Sequence, residues 1–135
     1  MDADAFAEFE RTGWERAASH YEEYWTDTVL FVEPLLDAAG VGTGSRLLDV
    51  ACGPGVVSAR AAARGALPVG VDVATAMVER ARTRCPDLSF VVGDALRLPF
   101  PDASFDAVTM NFGILHVSQP ERALAEAHRV LVPGG

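Results

Sequence analysis

Three aspartates, Asp49, Asp72 and Asp94, stand 23 and 22 residues apart, each at or just past the end of a short apolar run. An ionised carboxylate accepts hydrogen bonds from hydroxyl and amino groups and attracts cations. Beside the first aspartate lies a glycine turn, in the stretch LLDVACGPG (47–55). Gly53 and Gly55 permit a tight turn and a close approach of backbone to a ligand, with a helix N-terminus just behind. Such turns commonly cradle phosphate, but Asp49 would repel a pyrophosphate and attract an ammonium group. An acid about 20 residues past a glycine turn suits ribose hydroxyls, the role open to Asp72. Asp94 could accept from an adenine amino group. Taken singly, each aspartate reads equally well as a turn former or a helix cap.

The elements that must position these acids alternate along the chain. Strands are expected at 46–51, 67–73, 88–94 and 104–112, and helices at 56–65, 75–85 and 119–131, with Gly65 and Pro86 as stops and Pro120 in a first turn. Near-continuous Val/Leu strands separated by helices predict a parallel, doubly wound α/β sheet covered on both faces, with right-handed crossovers. In such sheets ligands sit outside the carboxyl ends of the strands. One strand–helix unit separates each aspartate from the next, so all three should converge on one rim. A ligand with adenine, ribose and a cationic amino-acid tail satisfies all three, and S-adenosylmethionine is such a ligand.

The sequence from about residue 40 to 135 resembles the seven-stranded, Rossmann-like S-adenosylmethionine-dependent methyltransferases, in particular the type 11 and ubiquinone/menaquinone-type small-molecule branch. LLDVACGPG looks like the first motif of that family and VDVATAMVERAR like its second-strand acid and following helix. VVGDALRLPFPDASFDAV resembles the adenine-binding segment, and NFGILHVSQPERALAEAHRVLVPGG the fourth strand, its loop and the next helix. The resemblance implies strand order 3-2-1-4 and an S-adenosylmethionine-binding domain at 40–135, preceded by an N-terminal helical lid at 1–39. It implies cofactor contacts at Asp49, Ala51, Gly53, Gly55, Asp72, Val73, Met77, Asp94, Ala95 and Asn111, with Tyr21 reaching in from the lid. Ala51 replaces the first glycine of the family's motif. Ala74 stands where a helix-capping Ser is common, so that cap is lost or shifts to Thr75. The family continues past Pro-Gly-Gly through further strands that this sequence does not contain. The apolar edge of the fourth strand (105–112) is then open. An isolated 135-residue chain is therefore expected to be marginally stable, to self-associate through that edge, and to lack transferase activity.

A sulfonium methyl is already activated, so the protein has chiefly to align an acceptor and exclude water. His116, in the loop after the fourth strand, is the candidate base; packing between that loop and the following helix is its alternative role. His20 and His128 read as ordinary helix-face residues. Residues 3–39 read as helical, broken at Gly13 and again between Trp25 and Glu33. Trp14, Tyr24 and Trp25 fit helix packing.

Composition bounds the rest. The 135 residues suffice for one domain, and a net charge of −8 disfavours nucleic acid as a partner. No run is long and apolar enough for a membrane span, the start MDADAFAEFE is no signal peptide, and a cytoplasmic location is expected. Cys52 and Cys85 fit no metal or redox spacing, so reduced thiols and no metal site are expected. The expected function is methyl transfer to a small molecule. Two alternatives stand beside it. A nicotinamide-dependent dehydrogenase is suggested by GPGVVS, a near miss of the fingerprint with Ser58 in the place of the third glycine, but Asp49 and the Asp94-Ala95 pair argue against it. A non-catalytic fragment or paralogue that binds the cofactor or a partner chain would show the same motifs.

Overall fold

Strands β1 (Arg46–Val50), β2 (Leu67–Asp72), β3 (Ser89–Val92) and β4 (Ala107–Thr109) pair in parallel in the order β3-β2-β1-β4. They are seen in a computed structural model that describes residues 1–21 and 26–135. Successive residues of β1 point to opposite faces and are buried on both. Leu47 packs with Val57, Ala61 and Leu36 on one side, while Leu48 and Val50 pack with Val71, Phe105 and Val130 on the other. Burial on both faces is why the strands read as continuous apolar runs.

Helices α1 (Ala3–Ala17), α2 (Val32–Ala38), α3 (Val56–Ala63), α4 (Thr75–Arg84) and α5 (Pro120–Val130) accompany the sheet. Pro34 falls in the first turn of α2, as a residue without an N–H can. Gly13, by contrast, does not break α1. Asp2 caps that helix by accepting from the Ala5 N–H at 2.8 Å, a Glu8–Arg11 side-chain bond braces the turn before the glycine, and a Glu10–Trp14 bond spans it. Tyr24 and Trp25 lie outside the described residues.

Two strands are shorter than the apolar runs suggest. Past β3, the Asp94 carboxylate accepts from the Leu96 N–H at 2.8 Å and the chain turns back on itself. Before β4, the N–H groups of Ala103, Ser104 and Phe105 are spent on the carbonyls of Arg129 and Val130, not on β1. Val132 returns a bond to the Phe105 carbonyl, so the segment after α5 covers the start of the β4 edge.

Gly55 shows how tightly the glycine turn is built. Its φ is +87°, and a Cβ there would lie 2.8 Å from Cζ of Phe90. Gly55→Ala should destabilise the protein by about 1–3 kcal/mol, from backbone strain and overpacking together. Urea denaturation of the two proteins measures this; an unchanged midpoint would mean that the Phe90 ring moves aside freely.

Candidate functional site

The carboxyl ends of β1, β2 and β4 open into one pocket, which α1 crosses. Val50 and Ala51 reach it from β1, Val71 to Val73 from β2, and Gly93 to Leu96 from the turn after β3. Asn111, Phe112 and His116 reach it from the segment after β4, and Glu10, Trp14 and Tyr21 from the N-terminal segment. Among the described residues that line it are three carboxylates, those of Glu10, Asp72 and Asp94, and no lysine or arginine. A phosphate-bearing ligand would meet no lysine or arginine among the described lining residues, whereas a positively charged one would be drawn in.

Asp72 is buried, and its two oxygens accept from the N–H groups of Gly53 at 2.8 Å and Ala74 at 2.9 Å. Its carboxylate thereby ties the glycine turn to the end of β2 and keeps lone pairs for a ligand. Burial pushes its pKa up, and the backbone donors act against that rise. Asp94 is exposed beside Ala95, at the mouth of the same pocket. Val73 and Met77 form the wall between them.

Asp49 lies deeper. One of its oxygens accepts from both the N–H and the hydroxyl of Ser58, at 3.1 and 2.7 Å. That N–H belongs to the first turn of α3, so the protein's own carboxylate occupies the place where a pyrophosphate would dock in a dinucleotide site. Burial lifts the Asp49 pKa to about 7. The residue lines a smaller cavity that shares Tyr21, Thr28, Ala51 and Asn111 with the main pocket. The Tyr21 phenol is pushed up chiefly by burial. Its ring stands over the glycine turn, with Cζ 3.6 Å from where a Cβ on Gly53 would be.

Of the residues expected to contact a cofactor, Ala51, Gly53, Asp72, Val73, Met77, Asp94, Ala95, Asn111 and Tyr21 all line the main pocket. Gly55 lines neither cavity; it is the N-cap of α3 and faces Phe90. Ala51 and Phe112 take left-handed backbone conformations, with φ of 54° and 63°. A Cβ on Gly113 would come within 2.5 Å of the Ala51 Cβ, so the β4 loop presses directly on the turn.

The missing cap of α4 is supplied from a distance. Ala74 offers no side-chain bond and Thr75 is already helical, but Glu15 of α1 accepts from the N–H groups of Thr75 and Ala76 at 2.6 and 3.0 Å. Glu10, five residues earlier, lies with its Oε2 2.9 Å from Nδ1 of His116. No local pattern in the sequence points to either acid, because their partners are 60 to 106 residues away. Cys52 and Cys85 are free thiols, the first buried. Among the described residues there is no cluster that could hold a metal, and no helix long and apolar enough to cross a membrane.

Residues 48–135 match a family model described as a methyltransferase domain. A demethylmenaquinone methyltransferase of Beutenbergia cavernae is 51% identical over 100 residues, covering 74% of this chain and 42% of that protein. A ubiquinone/menaquinone biosynthesis C-methyltransferase of a Ruegeria strain is 42% identical over 115 residues, covering 78% of this chain and 46% of that protein. The chain thus spans less than half the length of these curated relatives. The solved structure of a SAM-dependent methyltransferase from Thermotoga maritima superposes with a TM-score of 0.72 at 29% identity, covering 88% of this chain and 55% of that one.

Proposed function

This chain belongs to the methyltransferase domain family, and we propose that it binds S-adenosylmethionine and serves methyl transfer to a small, ring-bearing acceptor of the menaquinone-precursor type. One observation carries the cofactor assignment: a pocket at the carboxyl ends of the strands, reached by a glycine turn, whose charged lining is acidic apart from a single histidine. The residues fit the group. Gly53 lines the pocket beside the Tyr21 ring, and the lack of a side chain there leaves the backbone of the turn accessible to a ligand. The hydroxyl of Thr109, buried and without a hydrogen-bond partner, belongs to the β4 residue in register with Asp49, so a polar atom is left unsatisfied beside that carboxylate's strand position. Asp72 would hold the ribose hydroxyls, Asp94 the adenine amino group, and Asp49 the ammonium of the amino-acid tail.

Bound there, S-adenosylmethionine supplies a methyl group on a sulfonium, ready for in-line displacement. The chain's residues then have three tasks. The acidic lining favours the cation before transfer over the neutral thioether after it, which aids product release. Trp14, Tyr21 and Phe112 line the pocket with aromatic surface and limit water at the reacting centre. His116 takes a proton from the acceptor, so that a ring carbon beside a hydroxyl becomes nucleophilic. The names of the relatives support this acceptor class and transfer to carbon.

Asp72→Ala should weaken S-adenosylhomocysteine binding by about 1.5–3 kcal/mol, roughly 10- to 150-fold, because it removes charge-assisted bonds to the ribose. Calorimetric titration checks this. Tight binding of NADH with no response to S-adenosylhomocysteine would overturn the assignment.

A further inference from the structure

Glu10 holds a place in the site beyond that of a helix-face acid. Its side chain is 18% exposed and its Oε2 touches two partners at once: Nδ1 of His116 at 2.9 Å and the Nε1–H of Trp14 at 3.2 Å. The Trp14 ring stands edge-on to the imidazole, with centroids 4.9 Å apart and planes at 88°. All three residues line the main pocket. The imidazole is therefore gripped at one nitrogen by a carboxylate and along its plane by an indole. Both grips come from α1, whose far end is fixed by Glu15 to the first turn of α4.

We propose that Glu10 is the positioning residue of His116, holding its ring in the Nδ1–H tautomer so that Nε2 is the bare nitrogen offered to the pocket. This rests on the reading of His116 as the base. An ionised carboxylate can only accept, so the nitrogen facing Glu10 must be the donor. The hydrogen bond at one ring nitrogen decides which nitrogen keeps the lone pair. In water a free neutral imidazole favours the opposite tautomer, in which Nε2 carries the proton and cannot act as a base. When Nε2 takes the acceptor's proton, the imidazolium formed has the Glu10 carboxylate against its other side, with no further rearrangement required. Glu10 touches neither cofactor nor acceptor in this scheme; it acts through His116. The base is complete only when α1 lies across the pocket, which ties proton removal to enclosure of the site.

Long-range ¹H–¹⁵N spectra of the histidines, recorded on this chain at alkaline pH, read the tautomer directly. The parent protein should show His116 protonated at Nδ1, and Glu10→Ala should move the proton to Nε2. In a form of the protein that turns over, Glu10→Ala should lower kcat about 10- to 100-fold with little change in KM for the acceptor. Glu10→Gln keeps the volume and an acceptor for Nδ1 but not the charge, and should lower kcat about tenfold; it stands in should the alanine variant fail to fold. An Nε2–H ring in the parent would overturn the role of Glu10, as would an unmoved tautomer in Glu10→Ala or an unchanged kcat in either variant. Full turnover by His116→Ala would instead overturn the base assignment beneath it.

Discussion

At pH 8 the Asp49→Asn protein should be more stable than its parent by about 1–3 kcal/mol, and should bind S-adenosylhomocysteine at least tenfold more weakly. Both effects follow from one buried carboxyl. Its pKa is lifted to about 7 by desolvation, against an ordinary aspartate value near 3.9 in the unfolded chain. The native state therefore holds this proton more tightly than the unfolded state does. The stability it contributes is fully present below about pH 4 and is lost as pH rises through about 7, an amount on the order of 4 kcal/mol. Asparagine keeps an acceptor for the N–H and hydroxyl of Ser58 but carries no charge to desolvate. Its added amide donor costs about 1–3 kcal/mol if it finds no partner, which leaves the net gain stated. Asp72 is pushed in the same direction by its own burial, so its loss of stability with rising pH adds to that of Asp49. A ligand ammonium beside Asp49 would supply the missing countercharge, and affinity should therefore climb as pH rises through about 7. Urea midpoints and calorimetric titrations at pH 5 and pH 8 measure both effects. An Asp49→Asn protein that is less stable at pH 8 and binds normally would remove this account of the residue.

In a full-length form of the protein, His116→Ala should lower methyl-transfer turnover about 100-fold or more while S-adenosylhomocysteine affinity stays within about twofold of the parent. The separation is expected because the proposed cofactor contacts of Asp49, Asp72 and Asp94 come from β1, β2 and the turn after β3, whereas His116 belongs to the 3₁₀ turn Gly113–His116 beyond β4. Loss of the imidazole also leaves Glu10 without its ring partner, so some loss of stability accompanies the variant. Turnover is therefore expressed per folded molecule, from rates and denaturation curves on the same samples. Normal turnover per folded molecule, with lowered stability, would reduce His116 to a packing residue between its loop and α1.

Much of this molecule is written locally. The 23- and 22-residue spacing of Asp49, Asp72 and Asp94, the continuous Val/Leu runs and the glycine turn were enough to place these acids around the ends of a parallel sheet. They suffice because strand period, helix stops and glycine conformation depend on neighbouring residues. The strand order came from family resemblance and agrees with the sheet observed. Even the raised pKa of Asp49 has a local root, since an aspartate inside the run RLLDV must be buried with its neighbours on both faces.

What the tertiary structure alone decided are the contacts between distant segments. Gly13 looked like a break because helix propensity penalises glycine, but the Glu10–Trp14 bond spanning it and the docking of α1 through Glu10 and Glu15 outweigh that small cost. Ala74 looked like a lost cap because capping is read from adjacent residues, yet the acceptor arrives from Glu15, 60 positions earlier. Gly55 looked like a ligand contact because the motif treats its glycines alike; only the Phe90 ring beneath it assigns it to packing. Glu10 carried no mark in the sequence, since an acid on a charged helix face is ordinary until the fold sets a histidine 106 residues away against it. Local chemistry fixes what each segment is; which partner satisfies its polar groups depends on the folded arrangement, and in this protein those partners complete the site.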